Sequence, residues 1–254
     1  MYKKEREDQI LLLLRKFGYV TVKFLTQELH YSKATINRDL NLLEQSGMVR
    51  RTWGGVETIV PTTVPVLFRY EKAKPAKKKI GKCAAEFVKN GDTIFIDGST
   101  TAQYMGEYLI AKKDIHVLTN NMALASYLSE YGVDVTVLGG KVSEPPYMLS
   151  GVETVETALR YRANKCFFST SDVSDDGQMS YEGDIYYTMH KVMMLNSEKI
   201  FYLVDRDKVN RGGGRIILGD ISLADYVITD YYFSDETKEK YPQVNFISID
   251  SYDG

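Results

Sequence analysis

The chain has 254 residues, of which 44% are hydrophobic and 26% are charged. This balance is typical of an ordinary globular protein with one large domain, or with a large and a small one. A formal net charge of -2 excludes the strongly basic composition of many nucleic-acid-binding proteins. The first 60 residues nevertheless carry ten Lys and Arg against seven acidic residues, a net +3 that leaves −5 for the remainder. This modestly basic segment permits contact with phosphates without proving it.

The two cysteines, Cys83 and Cys166, lie far apart and in no spacing typical of a metal site. We therefore expect two free, buried thiols in a reducing cytosol, with no metal and no cofactor. Residues 1–8 are polar and charged, unlike a secretory signal. No apolar run approaches the roughly 20 residues of a membrane helix. The composition thus predicts a cytoplasmic protein without a membrane segment.

The first 30 residues predict two short helices. Residues 4–17 form the first, and its apolar centre at residues 10–14 implies burial on more than one side. Thr21 can cap a second helix over residues 22–30. A tight turn then leads into a third helix. Two helices joined by a few residues are the helix-turn-helix arrangement.

The third helix begins at Ser32, a good N-cap residue, and ends at Gly47. Its apolar residues recur at spacings of four and three, which places them on one buried stripe: Ile36, Leu40 and Leu43. The polar side chains of its first turns can hydrogen-bond to bases or phosphates: Lys33, Thr35, Asn37 and Arg38. An anchored helix of this kind suits the major groove. The stretch alone is equally compatible with a solvated amphipathic helix.

The segment at residues 48–56 alternates apolar and polar residues around Gly54-Gly55 and predicts a β-hairpin, the wing of a winged helix. Arg50 and Arg51 would lie on this exposed ribbon, placed to meet DNA phosphates. The alternative is that both arginines are only solvated and that Trp53 fills the core. Helix and wing together favour DNA binding, with Ser32 among the contacts.

These residues resemble the amino-terminal winged helix of the DeoR family of bacterial repressors. The resemblance is carried by residues 28–29, 32–40, 43–44, 47–51 and 54–55. The family usually has a pair of arginines where this chain has Asn37-Arg38, and a valine-histidine pair where Thr52-Trp53 stands. Asn37 could still read an adenine edge, because its amide offers one donor and one acceptor. The departures concern the operator sequence rather than the fold.

A proline-containing linker at residues 58–75 is predicted to separate a DNA-binding domain at 1–57 from a second domain at 76–254. Pro61, Pro65 and Pro75 fix φ and remove backbone donors, which disfavours regular structure. Lysines cluster around its end: Lys72, Lys74, Lys77, Lys78, Lys79 and Lys82. They form either a basic approach to DNA or, in the interpretation we favour, the polar face of the next helix.

From residue 76 onwards, short apolar strands alternate with helices, which predicts a mainly parallel sheet covered on both faces. The predicted strands are 93–96, 115–118, 133–138, 165–168, 200–204, 226–228 and 244–249. The predicted helices are 76–89, 102–110, 122–130 and 184–195. The fold class is therefore α/β, an amino-terminal winged helix-turn-helix followed by a mainly parallel-sheet domain.

Polar loops follow four of these strands, at the edge where such sheets bind ligands. Hydroxyls and helix-terminal amides suited to a phosphate come from Asp97, Gly98, Ser99, Thr100 and Thr101. The other loops supply Asn120, the pair Gly139-Gly140, and the opposite charges of Asp205 and Lys208. Singly, each loop is more typical of a cap or a turn. Four at matching strand ends favour a ligand site.

The resemblance extends over this second domain, at residues 97–101, 119–121, 138–140, 151, 205, 208 and 228–230. They are similar to the effector domain of the DeoR family, which resembles ribose-5-phosphate isomerase in fold and binds phosphorylated sugars. The likeness implies a phosphate on residues 99–101 and a sugar facing Asn120, Asp205 and Lys208.

Two segments depart from the family pattern. Residues 168–172 replace the family's glycine and alanine, and their hydroxyls could narrow the pocket or bond the sugar. The three glycines at 212–214 suggest a mobile loop near Lys208. Nearby aromatic residues are interpreted as packing: Tyr181, Tyr186, Tyr187 and His190.

We therefore expect a DNA-binding transcriptional regulator, foremost a repressor of a sugar-metabolism operon. A sugar phosphate would change its binding to duplex operator DNA. Paired half-sites imply a homo-oligomer, either a dimer or a tetramer. The main alternative is a sugar-phosphate isomerase or transferase with Asp97 or Asp205 as the base, although it would leave the winged helix without a task. An interaction module that does not bind DNA is a further alternative.

Overall fold

The structure, a computed structural model, describes residues 3–17, 19–46, 48–52, 54–58, 73–144, 148–212 and 214–249. The chain divides into two compact units, Met1–Arg69 and Tyr70–Gly254. Several predicted features lie outside the described residues: the helix end at Gly47, Trp53, most of the linker with Pro61 and Pro65, Lys72, and the middle glycine of 212–214.

The described part of the first unit contains three helices and a small antiparallel sheet with the order β1-β3-β2. The elements are α1 (Lys3–Phe17), β1 (Tyr19–Thr21), α2 (Val22–Leu29), α3 (Lys33–Gln45), β2 (Val49–Thr52) and β3 (Gly55–Thr58). A turn in which His30 adopts a φ of 56° joins α2 to α3. The predicted helix-turn-helix with its wing is confirmed.

The core of this unit is formed by one stripe from each helix and by the inward residues of the hairpin. Ile36, Leu40 and Leu43 of α3 are buried, as their spacing predicts. They pack with residues of α1, α2, β2 and β3: Ile10, Leu14, Leu25, Val49 and Val56. Because α3 is fixed along one side, its opposite side is available to a partner.

The second unit is built on a seven-stranded parallel sheet with the order β15-β14-β12-β9-β4-β5-β6. Its strands are β4 (Thr93–Ile96), β5 (His116–Thr119), β6 (Asp134–Val137), β9 (Ala163–Phe168), β12 (Ser197–Val204), β14 (Tyr226–Thr229) and β15 (Asn245–Ser248). The helices are α4 (Lys74–Glu86), α5 (Gly106–Leu109), α6 (Met122–Glu130), α7 (Val152–Leu159), α8 (Tyr187–Leu195) and α9 (Asp235–Lys240). The α/β fold class is confirmed.

Alternate strand residues point to opposite faces of this sheet and define two cores. Ile94 and Ile96 pack in a cluster with residues of α4, α5 and α6. Phe95 lies in a second cluster with residues of α7 and α8. Both faces are therefore covered, which accounts for the nearly continuous apolar runs of the central strands.

Several predicted helix bounds were wrong. The helix predicted at 76–89 spans Lys74–Glu86, because the amides of Phe87 and Val88 donate three residues back, each at 3.2 Å, and tighten the turn. The helices predicted at 102–110 and 184–195 begin with 3-10 turns, Ala102–Met105 and Asp184–Tyr186.

The sequence did not indicate the smaller sheets. Strand β7 (Lys141–Glu144) pairs antiparallel with β8 (Met148–Ser150). A second antiparallel sheet has the order β10-β11-β13, formed by Asp172–Val173, Gln178–Tyr181 and Ile216–Asp220. Within the described residues, no helix is long and apolar enough to cross a membrane.

Candidate functional site

The exposed side of α3 carries most of the predicted DNA-binding residues. Ser32 caps the helix, since its Oγ accepts from the amide of Thr35 at 3.2 Å and lies 2.9 Å from that residue's Oγ1. Lys33 and Arg38 are exposed on the first turns. The beginning of α3 therefore presents two cations, as a surface that meets phosphates requires.

A buried ion pair, which the sequence did not indicate, fixes α3 to α1. Asp39 is fully buried, and the Nε and Nη2 of Arg6 donate to its two carboxylate oxygens, the second bond being 3.0 Å long. The Arg6 guanidinium also lies 4.9 Å from the ring centroid of Tyr31. Hydrogen bonding to Asp39 raises the pKa of Arg6, so the guanidinium stays charged. This pair sets the orientation of the predicted recognition helix.

Arg50 and Arg51 leave β2 on opposite faces. Arg50 is exposed and donates to the carboxylate of Glu57 on β3 at 2.5 Å. Arg51 is half-buried and turns to α3, where its Nη2 donates to Oδ1 of Asn37 at 2.5 Å. The expectation that both arginines lie on an exposed ribbon is therefore wrong for Arg51. Residues 49 and 51 alternate onto the same inward face of the hairpin.

In the second unit, the predicted loop after β4 is organised by Asp97, whose carboxylate is buried. Its Oδ1 accepts from the amide of Ser99 at 3.1 Å and from the hydroxyl of the same residue at 2.6 Å. Its Oδ2 accepts from the amide of Ser169 at 3.1 Å and lies 3.1 Å from Nε2 of His190. The carboxylate is thus engaged by protein groups on both oxygens. This arrangement disfavours Asp97 both as a sugar contact and as a base.

Lys77 brings a buried cation to the same loop. Its side chain is on α4, only 3% of the residue is exposed, and its Nζ donates to Oγ1 of Thr100 at 3.1 Å. Our interpretation of the lysine cluster as a polar face is therefore wrong for this residue. The signal was in the sequence, because Lys77 precedes Ile80 and Ala84 by three and seven positions and so shares their buried face.

Two strands further along the sheet, the loop after β12 joins the same site. Asp205 is buried, and its Oδ2 accepts from the hydroxyl of Thr101 at 3.1 Å. Lys208 donates from Nζ to Oγ of Ser169 at 2.7 Å. The predicted residues Asp97, Thr101, Asp205 and Lys208 are thereby brought together at the carboxyl ends of adjacent strands β4, β9 and β12. Ser169, from the segment that departs from the family pattern, links them.

Asn120 lies at the end of β5, beside the same loop. Its Nδ2 donates to the carbonyl of Leu149 at 2.8 Å, whereas its buried Oδ1 has no hydrogen-bond partner among the described residues. A Cβ on Gly98 would lie 3.3 Å from that Nδ2 and 2.5 Å from Cε of Met148. A larger residue at position 98 would therefore require the end of the flexible Met148 side chain to shift.

The pair Gly139-Gly140 is placed differently from the other predicted residues. Gly140 has a φ of +133°, and a Cβ there would lie 2.5 Å from the carbonyl oxygen of Ser150. The carbonyl of Gly139 accepts from the hydroxyl of Thr154 on α7. The local packing of β8 and α7 therefore accounts for Gly140 without a ligand.

Hydroxyls and cations dominate the chemistry of this edge. Two ammonium groups, those of Lys77 and Lys208, stand among the hydroxyls of Ser99, Thr100, Thr101 and Ser169. Such a set suits an anionic ligand that is rich in hydroxyl groups. In the described part of the chain, no group of three or more His, Cys, Asp or Glu side chains could hold a metal ion.

His190 was interpreted as packing, and the structure gives it a polar role. Besides the contact with Asp97, its Nδ1 is hydrogen-bonded to the hydroxyl of Tyr181. His190 is on α8 and Tyr181 on β11, an element that the sequence did not indicate. Burial raises the pKa of Tyr181 well above its usual value. No local spacing joins these residues to Asp97, because the pairing depends on the tertiary fold.

Comparison with known proteins places both units. The DeoR-like helix-turn-helix domain family matches residues 6–62, and the DeoR C-terminal sensor domain family matches residues 72–231. The second match alone covers more than half of the chain. The resemblance drawn from the sequence motifs is confirmed for both units.

Curated relatives are similar over most of both lengths. The chain is 30% identical over 215 residues to the HTH-type transcriptional repressor GlcR of Bacillus subtilis, covering 82% of this chain and 81% of that protein. It is 27% identical over 234 residues to the glycerol-3-phosphate regulon repressor of Escherichia coli, covering 91% and 92%. It is 28% identical over 221 residues to the HTH-type transcriptional regulator UlaR of Escherichia coli, covering 85% and 86%. These relatives are regulators rather than enzymes, which confirms the preferred hypothesis over the isomerase alternative.

Similarity to solved structures is weaker. Ribose 5-phosphate isomerase A from Neisseria gonorrhoeae aligns with 52% of this chain and 52% of its own, at 20% identity and a TM-score of 0.38. eIF2B beta from Chaetomium thermophilum aligns with 62% of this chain and 49% of its own, at 15% identity and a TM-score of 0.42. The family assignment is carried by the sequence matches.

Proposed function

Because the chain belongs to the DeoR family of transcriptional regulators, we propose that it is a repressor of carbohydrate genes. It binds duplex operator DNA through α3 and the wing, and a phosphorylated sugar bound in the second unit modulates that binding. It acts in the cytoplasm as a homo-oligomer, because paired domains on paired half-sites multiply affinity and specificity.

The buried ammonium of Lys77 beside Thr100 is the observation that supports this proposal most. A buried cation is costly unless anionic or polar groups surround it. Here it stands at the loop whose hydroxyls and amides suit a phosphate, and a phosphate dianion bound there would lie close to its ammonium. One relative is named a glycerol-3-phosphate regulon repressor, which agrees with a phosphorylated polyol or sugar as effector.

The remaining groups of the site fit the sugar part of such a ligand. The buried Oδ1 of Asn120 makes no hydrogen bond to the described residues and can accept one from a ligand. The carboxylate of Asp205 accepts from Thr101 and can accept a further bond. Lys208 donates from Nζ to Ser169 in the loop after β9. Sugar hydroxyls both donate and accept, so they can bond to all three residues. Asp97 acts indirectly, by holding Ser99 in place.

The effect on DNA is a population shift. If the sugar phosphate binds one arrangement of the oligomer more tightly, that arrangement becomes dominant and presents the DNA-binding units at another spacing. Operator affinity then falls by the same factor by which DNA weakens effector binding, because the coupling is reciprocal.

The direct test is binding of the full-length protein to duplex DNA from upstream of its own gene, with and without a panel of pentose, hexose and glycerol phosphates. We expect a salt-sensitive complex that at least one phosphorylated compound weakens and that its unphosphorylated counterpart leaves unchanged. Absence of any complex at low salt would contradict the DNA-binding part. A complex that no sugar phosphate affects would contradict the effector part.

The residue test compares Lys77→Met with Lys78→Met. Lys78 is the next residue on α4, and its exposed Nζ pairs with Glu107 at 3.0 Å. We expect Lys77→Met to weaken binding of the active sugar phosphate at least about ten-fold in calorimetry, as loss of a charge-assisted bond implies. DNA binding should persist in both variants, and Lys78→Met should bind the sugar phosphate normally. Equal affinities of the two variants for the sugar phosphate would show that Lys77 does not contribute to binding.

A further inference from the structure

The guanidinium of Arg51 is held between two asparagine side chains of α3. Its Nη2 donates to Oδ1 of Asn37 at 2.5 Å, and its Nη1 donates to Oδ1 of Asn41. The backbone amide of Arg51 donates to the carboxylate of Glu44 at 2.9 Å. Asn37, Asn41 and Glu44 are spaced by four and three residues, so they share the side of α3 that faces β2.

This network engages both polar atoms of the Asn37 amide. Its Nδ2 donates to the carbonyl of Lys33 at 2.9 Å, and its Oδ1 accepts from Arg51. A guanidinium only donates, so the atom that faces it must be the amide oxygen. Both atoms that would recognise an adenine edge therefore already make one bond within the protein, and a base edge could use only the second N–H of Nδ2 and the second lone pair of Oδ1.

Arg51, in contrast, keeps donors to offer. An arginine side chain has five N–H donors, and two of them make the bonds to Asn37 and Asn41. The remaining three make no hydrogen bond to the described residues. Asn41 is exposed on α3 and Arg51 is half-buried beside it. The guanidinium thus lies at the surface of the recognition helix in a fixed orientation, although its backbone belongs to the wing.

We propose that Arg51, oriented by Asn37 and Asn41, reads a base edge in the operator, and that Asn37 acts through Arg51 rather than on a base itself. The ligand chemistry that fits is the guanine edge, whose O6 and N7 accept two parallel hydrogen bonds from a guanidinium. Because Arg51 is already bonded to Asn37 and Asn41, its side chain loses less rotamer entropy when it binds DNA. Asn41 thereby becomes a positioning residue of the DNA interface.

Arg50 provides the matched control within the same strand. It leaves the opposite face of β2, is exposed, and pairs with Glu57 across the hairpin. Among the described residues, no side chain of α3 makes a hydrogen bond that would orient Arg50. We therefore expect Arg50 to contact a DNA phosphate, which contributes affinity without sequence preference.

This inference rests on the proposed DNA binding, and the experiment separates the two. Full-length protein would select from a library of randomised duplex DNA, and the preferred and single-substituted duplexes would then be measured across a salt series. The variants are Arg51→Lys, Asn37→Ala, Asn41→Ala and Arg50→Lys, each checked for folding by circular dichroism and thermal melting. Arg51→Lys keeps the charge and the aliphatic stem, so it tests geometry rather than charge.

We expect Arg51→Lys to lower the preference for one guanine by about ten-fold to a hundred-fold while leaving the salt slope nearly unchanged. Asn37→Ala and Asn41→Ala should relax preference at the same base pair, and Arg50→Lys should not. Arg51→Lys with wild-type preference at every position would overturn the inference, as would relaxation by Asn37→Ala at a different base pair. If wild-type protein binds no duplex at all, the proposed function itself fails.

Discussion

The Nε2 of His190 lies 3.1 Å from Oδ2 of Asp97, and both side chains are almost fully buried. The Nδ1 of the same ring is hydrogen-bonded to the hydroxyl of Tyr181. Because burial raises the pKa of Tyr181, that hydroxyl keeps its proton. The loop proposed to bind phosphate is thus connected to α8 and β11 through a buried chain of polar contacts.

Replacing His190 by alanine should therefore weaken both the fold and the site. The carboxylate of Asp97 would remain buried without one of its partners, at a cost of about 1–3 kcal/mol in the free energy of unfolding. Sugar phosphate binding should also weaken, because Asp97 holds Ser99 in position. Urea denaturation followed by circular dichroism and calorimetric titration measure the two effects. His116→Ala is the control, because it removes a half-buried histidine that makes no contact with Asp97. The Nε2 of His116 is hydrogen-bonded to Oγ1 of Thr136 on β6 at 2.8 Å. Equal losses in both variants would argue against a special role for His190.

The ion pair between Arg6 and Asp39 predicts a large stability effect in the DNA-binding unit. Arg6→Leu would leave the fully buried carboxylate of Asp39 uncompensated, and we expect the free energy of unfolding to fall by about 3 kcal/mol. Arg50→Leu removes an exposed partner of Glu57 and should cost less than about 1 kcal/mol. Denaturant unfolding of the full chain gives the free energy of unfolding of this unit for both variants. A loss below 1 kcal/mol for Arg6→Leu would show that Asp39 relaxes into solvent.

The sequence predicted well wherever a local period decides the structure. The buried stripe of α3 follows from the spacing of Ile36, Leu40 and Leu43, and strand 93–96 follows from a short apolar run between turn residues. The same periodicities also indicate the positions of two further side chains that were not predicted. Lys77 shares a helical face with Ile80, and Arg51 alternates onto the face of the buried Val49.

The rest depends on contacts between distant segments. His190 meets Asp97 only because α8 packs against β9 and β12, and no spacing in the sequence encodes that pairing. An acidic residue such as Asp39 is expected to be exposed. Its burial depends on Arg6, which belongs to another helix and pairs with its carboxylate. The antiparallel strands β10 and β11 are short and contain polar residues, so they lack the apolar runs that identify the central sheet.

The two cysteines should be unreactive in the folded protein. Burial raises the pKa of Cys83 from 9.0 to about 11 and also raises the pKa of Cys166 well above its usual value. At pH 8 both thiols are neutral, and we expect slow reaction with an aromatic disulfide reagent until urea unfolds the chain. The folded state favours the protonated Cys83, so its contribution to stability is complete below about pH 9 and is lost as the pH rises towards 11. Cys83→Ala should therefore flatten the fall in unfolding free energy over that range. Rapid labelling of the native protein at pH 8 would contradict the burial of both thiols.

The adjacent glycines 139 and 140 allow a structural requirement to be separated from ligand approach. Gly140→Ala must place a Cβ at a φ of +133° and 2.5 Å from the carbonyl oxygen of Ser150, so we expect a loss of about 2–4 kcal/mol in unfolding free energy. A Cβ on Gly139 would meet nothing within 4 Å, and Gly139→Ala should be close to neutral for stability. Thermal unfolding compares the stability of the two variants. Calorimetric titration measures whether Gly139→Ala still binds the active sugar phosphate. If Gly139→Ala is stable but loses binding, the ligand approaches this backbone closely. If it is stable and binds normally, the glycine pair serves the packing of β8 and α7 alone.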